Sequence, residues 1–158
     1  MLRATAFALM MIGVVSGTSE ASGLTATQTV ELATWSVDAT GQERLTYEHA
    51  EDVAPGEQVR YRIAYVNDGT NAAENVTLVM PVPAEMVLVE GSIETAGSTV
   101  RFSADGGARF AARADLMIDD AGTLRPARGD EITHIQWQFD DPIAPAQSGA
   151  ISFDAVLK

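Results

Sequence analysis

The sequence predicts an all-β fold, an immunoglobulin-like antiparallel two-sheet sandwich, on three observations. Apolar and polar residues alternate with period two, Gly, Pro, Asn and Asp separate the alternating runs, and helical periodicity is nearly absent after residue 24. About seven such runs in one domain suit a sandwich whose strands each bury one face. A closed barrel is the alternative arrangement.

Residues 1–23 stand apart from that pattern. Met1-Leu2-Arg3 is a short positive start, Ala4 to Val15 is uncharged and apolar, and Ser16 to Gly23 is small and mildly polar. This order is that of a secretory signal peptide, and the apolar part is shorter than the ~20 residues that span a bilayer. Ala21 and Gly23 suit a cut before Leu24, and Ser19 and Ala21 suit one before Ser22. Residues 24–158 are then a single sandwich domain, secreted or periplasmic, with no integral membrane anchor.

Thr29 to Val37 opens the domain, but Val30 and Leu32 have the opposite parity to Ala33, Trp35 and Val37. A bulge or a strand that changes sheets would explain the switch, and such a strand is the expected sheet edge. Gln58 to Val66 is the clearest strand, with Val59, Tyr61, Ile63 and Tyr65 on one face. Pro55-Gly56 and Asn67-Asp68-Gly69 bound it as turns. Val76, Leu78 and Met80 form the next strand, which Pro81-Val82-Pro83 ends because proline lacks the ladder donor.

Met86 to Val89 is a short apolar run, and Ser98 to Ser103 alternates through Val100 and Phe102. In Ile132 to Phe139, residues Ile135, Trp137 and Phe139 share a face. The closing strand places Ile151, Phe153, Ala155 and Leu157 on one side. Tyr61, Ile63, Trp137 and Phe153 are therefore expected in the core between the sheets, and Trp35 with them. Asp105 to Glu131 reads as a hairpin plus a long loop between sandwich strands, the kind of segment that carries binding.

Charge and composition narrow the function. With 22 acidic against 10 basic residues the formal charge is −12, unchanged by removal of Arg3 and Glu20, which disfavours nucleic acid and acidic lipid as partners. No cysteine is present, so neither disulfides nor an N-terminal lipidated cysteine contribute. Nucleophilic catalysis finds no Cys, no Gly-x-Ser-x-Gly elbow and only two histidines, His49 in a loop and His134 on an outer strand face. No enzyme activity, cofactor or metal site is expected, since two distant histidines do not make a zinc site. Asp105, Asp119-Asp120 and Asp140-Asp141 offer hard oxygens, but not the spaced Asp-x-Asp-x-Asp pattern of a calcium loop.

Ser103-Ala104-Asp105-Gly106-Gly107-Ala108-Arg109-Phe110 is similar to an Asp-box with Arg109 in the threonine place. A propeller needs at least four blades, so Asp105 is expected simply to cap its own Gly-rich turn. Asn75-Val76-Thr77 matches a glycosylation sequon. Exposed aromatics could stack on sugars, and among Trp35, Tyr47 and Trp137 only Tyr47, in an acidic loop segment, is expected partly in water.

Val53-Ala54-Pro55-Gly56-Glu57-Gln58-Val59-Arg60-Tyr61, Val66-Asn67-Asp68-Gly69, Ala73-Glu74-Asn75-Val76, Pro81-Val82-Pro83 and Gly91-Ser92 together resemble the bacterial surface-protein family called domain of unknown function 11. Ile135-Gln136-Trp137 through Ser148-Gly149-Ala150-Ile151-Ser152-Phe153 resembles that family's closing hairpin. The family occurs as tandem repeats and ends the strand with Asp-x-Leu-Pro, whereas this chain has one copy and Met80-Pro81-Val82-Pro83. The resemblance implies an immunoglobulin-like fold in an exported protein, with no known catalysis.

The expected function is thus an exported non-catalytic module for adhesion or assembly in the cell envelope, its partner another envelope or surface protein. Contact is expected through a sheet edge or the 105–131 loop, with Asp105, Asp119, Asp120 and Arg125 as binding residues. A carbohydrate-binding module and a small hydrolase are the alternatives. A solvent-facing aromatic platform would mark the first, and a cleft joining His134 to an acid and a hydroxyl the second.

Overall fold

The computed structural model describes residues 23–95 and 97–158, so the signal-peptide expectation for residues 1–23 lies almost entirely outside the described residues. Ten strands follow in order: β1 (Leu24–Val37), β2 (Glu43–His49), β3 (Gln58–Asn67), β4 (Thr77–Pro81), β5 (Met86–Leu88), β6 (Ser98–Ser103), β7 (Met117–Asp120), β8 (Thr123–Pro126), β9 (His134–Phe139) and β10 (Ser148–Leu157). Two 3-10 turns, Arg113–Asp115 and Gly129–Glu131, flank the β7–β8 hairpin. Among the described residues no helix is long and apolar enough to cross a membrane.

A five-stranded sheet, β2-β1-β3-β10-β5, packs on a three-stranded one, β4-β9-β6, and every named pairing is antiparallel. The fold is therefore an all-β sandwich with separate sheets, not a closed barrel. Alternation decides which side faces inward. Val59, Ile63, Ile151, Phe153 and Ala155 from the larger sheet meet Leu78, Met80, Ile135 and Trp137 from the smaller, each no more than 1% exposed. Tyr61 stacks on Phe153 at 5.0 Å between ring centroids, and Trp137 lies over the same phenylalanine at 6.4 Å. The indole N–H of Trp137 donates to Glu94 O at 3.0 Å, so burying the ring leaves its polar atom paired.

Asn67, 1% exposed at the end of β3, donates from Nδ2 to Asn71 O and Ile143 O, both at 2.8 Å. It thereby ties the Asn67-Asp68-Gly69 turn to the loop before β10. Gly149 faces Tyr65 across the β3–β10 ladder, where an added Cβ would stand 2.6 Å from the ring's Cζ. Only a residue without a side chain lets that ring lie flat on the neighbouring strand.

The opening strand departs from expectation in three ways. It starts at Leu24 instead of Thr29, and both of its ladders keep an unbroken register, so neither a bulge nor a change of sheet produces the parity switch. It is also not the outermost strand, because β2 lies beyond it. The parity switch comes instead from the offset of its two neighbours. β3 pairs with Leu24 to Leu32 and β2 with Glu31 to Val37, so the two neighbours overlap only at Glu31 and Leu32. Leu24, Ala26, Val30 and Leu32 turn toward the core, whereas Trp35 and Val37, on the opposite face, are each 66% exposed. Trp35 is thus a surface residue: the strand runs on past its partner β3, where the core no longer governs which face is covered.

The segment Glu43–His49 is a strand and not a loop, with Leu45 opposite Trp35 and Tyr47 opposite Ala33. His49 closes that strand. Asp38 turns the hairpin by accepting from the Thr40 and Gln42 amides at 2.8 and 3.0 Å. The segment 105–131 does hold a hairpin, β7–β8, set between two 3-10 turns.

Candidate functional site

Asp105 does what a turn aspartate should. Its Oδ1 accepts from Ser103 Oγ at 2.7 Å and from the Arg109 amide at 3.0 Å, and its Oδ2 accepts from Arg109 Nε at 3.0 Å. The Ser103 hydroxyl foremost, then the Arg109 groups, hold this carboxyl well below the usual range. A carboxylate so occupied caps a Gly106-Gly107 turn, both glycines having positive φ.

Asp119, Asp120 and Arg125 come together on the β7–β8 hairpin, apart from the Asp105 turn in sequence and in hydrogen bonding. Asp119 Oδ1 accepts the Gly122 amide across the hairpin turn at 2.6 Å. Arg125 donates from Nε to Asp120 Oδ2 at 2.9 Å and, through both Nη atoms, to the two oxygens of Glu131 at 2.8 and 2.7 Å. Glu131 also accepts the Arg128 amide at 2.8 Å. The Arg125 bonds, then the Arg128 amide, bring the Glu131 carboxyl down to about 2, and Glu131 in turn raises Arg125. The forked guanidinium pairing fixes the hairpin against the following 3-10 turn. These predicted binding residues mainly hold their own loop in shape, leaving Met117 and Leu124 as its exposed apolar side chains.

His134 touches the Thr133 hydroxyl at 3.2 Å, and that hydroxyl also donates to Ser103 O and accepts from the Gly106 amide. Burial lowers the His134 pKa, partly offset by the charge of Asp105. An acid, a hydroxyl and an imidazole therefore neighbour one another. They form no relay: the Asp105 oxygens serve Ser103 and Arg109, and the His134 ring rests against Gly107. Among the described residues no three His, Asp or Glu side chains converge as a metal-holding group.

A polar cluster on the outer face of the five-stranded sheet was not singled out by the sequence. Asp154, only 4% exposed, accepts from Arg60 Nε at 2.7 Å, Gln58 Nε2 at 2.8 Å and Tyr47 Oη at 3.1 Å. The Arg60 guanidinium lies 3.8 Å above the Tyr47 ring, and its far side reaches Glu94 at 3.8 Å. Burial opposes the charge of Arg60, but the bonds and charge of Asp154 prevail and raise its pKa; burial and Asp154 raise Tyr47 as well. Outward positions of three strands, β2, β3 and β10, converge here, which period-two parity within one strand cannot reveal.

That cluster borders the exposed apolar face of the β1–β2 hairpin. Trp35, Val37, Leu45 and Tyr47 occupy the same side of β1 and β2, with Tyr47 half-buried as expected and its ring capped by Arg60. No family model, curated protein or solved structure matches the chain.

Proposed function

We propose that the chain is an exported, non-catalytic β-sandwich module that acts in the cell envelope by protein–protein contact, as an adhesion or assembly protein. The observation that carries this reading is the β1–β2 hairpin, which offers Trp35 and Val37 to solvent beside Leu45 and Tyr47. An exposed tryptophan and valine on one face, with Arg60 over the neighbouring Tyr47, have the composition of contact surfaces. The leader-like residues 1–23 and the resemblance to domain of unknown function 11 support export and surface residence. The Asp105 turn and the Arg125 cluster fit a role in shaping loops.

A photoreactive residue in place of Val37, introduced in the producing cells, tests this. Cross-links to a protein from position 37, and none from exposed Arg62 on the same sheet face, are expected. A chain that stays uncross-linked at both sites, or keeps Met1 and remains in the cytosol, overturns the reading.

Exposure of Trp35 also favours the carbohydrate-binding alternative, since a flat ring in water can stack on a sugar. Tyr47 does not extend that platform, because Arg60 covers its ring. The chain has two tryptophans and Trp137 is buried, so a shift of indole fluorescence on adding soluble envelope glycans reports on Trp35 alone. Such a shift, lost in Trp35→Ala, would favour the sugar reading over the protein one.

A further inference from the structure

Sheet edges differ sharply in how they are protected. The 129–131 turn packs beside β5, where a Cβ on Gly129 would stand 3.3 Å from Leu88 O. Ala111 bridges to Phe102 along β6, and β4 ends in Pro81. β2 has exposed Glu43, Arg44, Glu48 and His49 at its two ends. These are the usual means of keeping an edge from pairing with another chain.

The open half of β1 has none of them. From Leu24 to Val30 the sequence is Leu-Thr-Ala-Thr-Gln-Thr-Val, without charge, glycine or proline and rich in β-branched residues. β3 occupies one side of it, and the ladder with β2 on the other side begins only at Glu31. Val30 O accepts the Ala50 amide at 3.1 Å on that second side, while Gly23 O accepts the Asp68 amide at 2.7 Å on the first. Backbone groups alternate along a strand, so Leu24, Ala26 and Gln28 direct N–H and C=O to the side where no strand lies among the described residues. On the inward face Leu24, Ala26 and Val30 are only partly buried against the core.

We infer that the open side of β1 from Leu24 to Thr29 takes up an extended segment of a partner protein as an added strand, a segment of about six residues with alternate apolar side chains and Lys or Arg at its ends. This rests on the protein-contact function proposed above. The apolar side chains would complete the cover over Leu24 and Ala26. The basic ends follow from the acids that bracket the edge: exposed Asp68, whose carboxylate holds Thr25 Oγ1 at 3.1 Å, at one end, and Glu31 at the other. A second copy fits poorly. Antiparallel self-pairing about Thr27 brings Glu31 of one copy to the Asp68 end of the other, between two molecules each of charge −12.

The probe is a synthetic peptide of alternating valine and threonine with two lysines at each end, beside the same peptide ended by glutamates. Amide exchange of the full chain at Ala26 and Gln28 should slow by about tenfold or more with the lysine-ended peptide and stay unchanged with the acidic one. Ala26→Pro, which removes a donor on the open side and no ladder bond, should abolish the effect with the near-ultraviolet circular dichroism intact. Protection at Glu43–His49 instead, no protection, or equal protection by both peptides overturns the inference. So does slow exchange at Ala26 and Gln28 without peptide, whether it depends on concentration, which marks a second copy, or not, which marks the chain's own preceding segment. Should Ala26→Pro fail to fold, wild-type exchange at Gln28 with the two peptides decides alone. If cross-linking from position 37 persists while the peptide protects nothing, only the added strand falls and the contact function stands.

Discussion

Asp154 is a carboxylate folded into the face of a sheet, and what surrounds it sets what its loss would do. Three donors from Tyr47, Gln58 and Arg60 converge on it, so Asp154→Asn leaves the Arg60 charge without its partner and one donor facing an amide N–H. Breaking a buried pair from one side costs ~3 to 5 kcal/mol, and because Arg60 keeps partial contact with water the expected loss is about 2 kcal/mol in urea unfolding. Arg60→Met with Asp154→Leu together should recover much of it. The two tryptophans make a second comparison. Trp137→Ala should cost ~3 to 5 kcal/mol as a fully buried ring, while Trp35→Ala should change stability by less than ~0.5 kcal/mol and act on binding alone. At this scale the alternation of β9 told the truth about Trp137, because another sheet lies beneath it. It misled at Trp35, because parity says which residues share a face and not whether that face is covered.

Elements were legible where they were long, alternating and bounded by turn residues, as with β3, β9 and β10. β2 escaped notice because Glu43, Arg44, Glu48 and His49 surround its two apolar positions, and pairing with β1 on one side suffices to make it a strand. The β7–β8 hairpin was legible as a hairpin but not as an ion-paired one, since Arg125 reaches a glutamate in the next turn. Its two-residue loop, Ala121-Gly122, has φ of 53° and 88°, the geometry of a primed turn, for which alanine is a poor first residue. Ala121→Asn should therefore stabilise the hairpin, by about 1 kcal/mol, visible as slower proteolysis between β7 and β8. Acid should act oppositely. The folded pKa of Glu131, about 2, lies below the ~4.3 of an unfolded glutamate, so its contribution is complete above that value and fades as pH falls toward 2. Glu131→Gln should flatten this part of the acid-unfolding curve; an unchanged curve would show that the Arg125 pairing adds nothing. His134, lowered by burial, loses its favourable neutral state as pH drops below ~6.5, and His134→Gln should remove that separate, milder step.

For the whole molecule, the sandwich could be foreseen from its alternating runs, but the offset of β2 and β3 along β1 could not, because register between strands distant in sequence leaves no local trace. That offset exposes both the hairpin face and the charge-free edge. Its other consequence concerns force. β1 and β10 both run antiparallel to β3 and so parallel to each other on its two sides, with Leu24 beside Asn67 and Val156 beside Gln58. The start of β1 and the end of β10 thus lie at opposite ends of the same central strand. Tension applied through those two points loads both ladders in shear, so that their hydrogen bonds must yield together, whereas tension drawn between Glu31 and His49, at the open end of the β1–β2 hairpin, unzips pairs one after another. Single-molecule stretching from residues 23 and 158 should accordingly give one abrupt high-force rupture, set by the barrier to unfolding more than by equilibrium stability. A module that holds a partner along the flank of β1 would then grip by the strand that the rest of the sheet clamps hardest against a lengthwise pull.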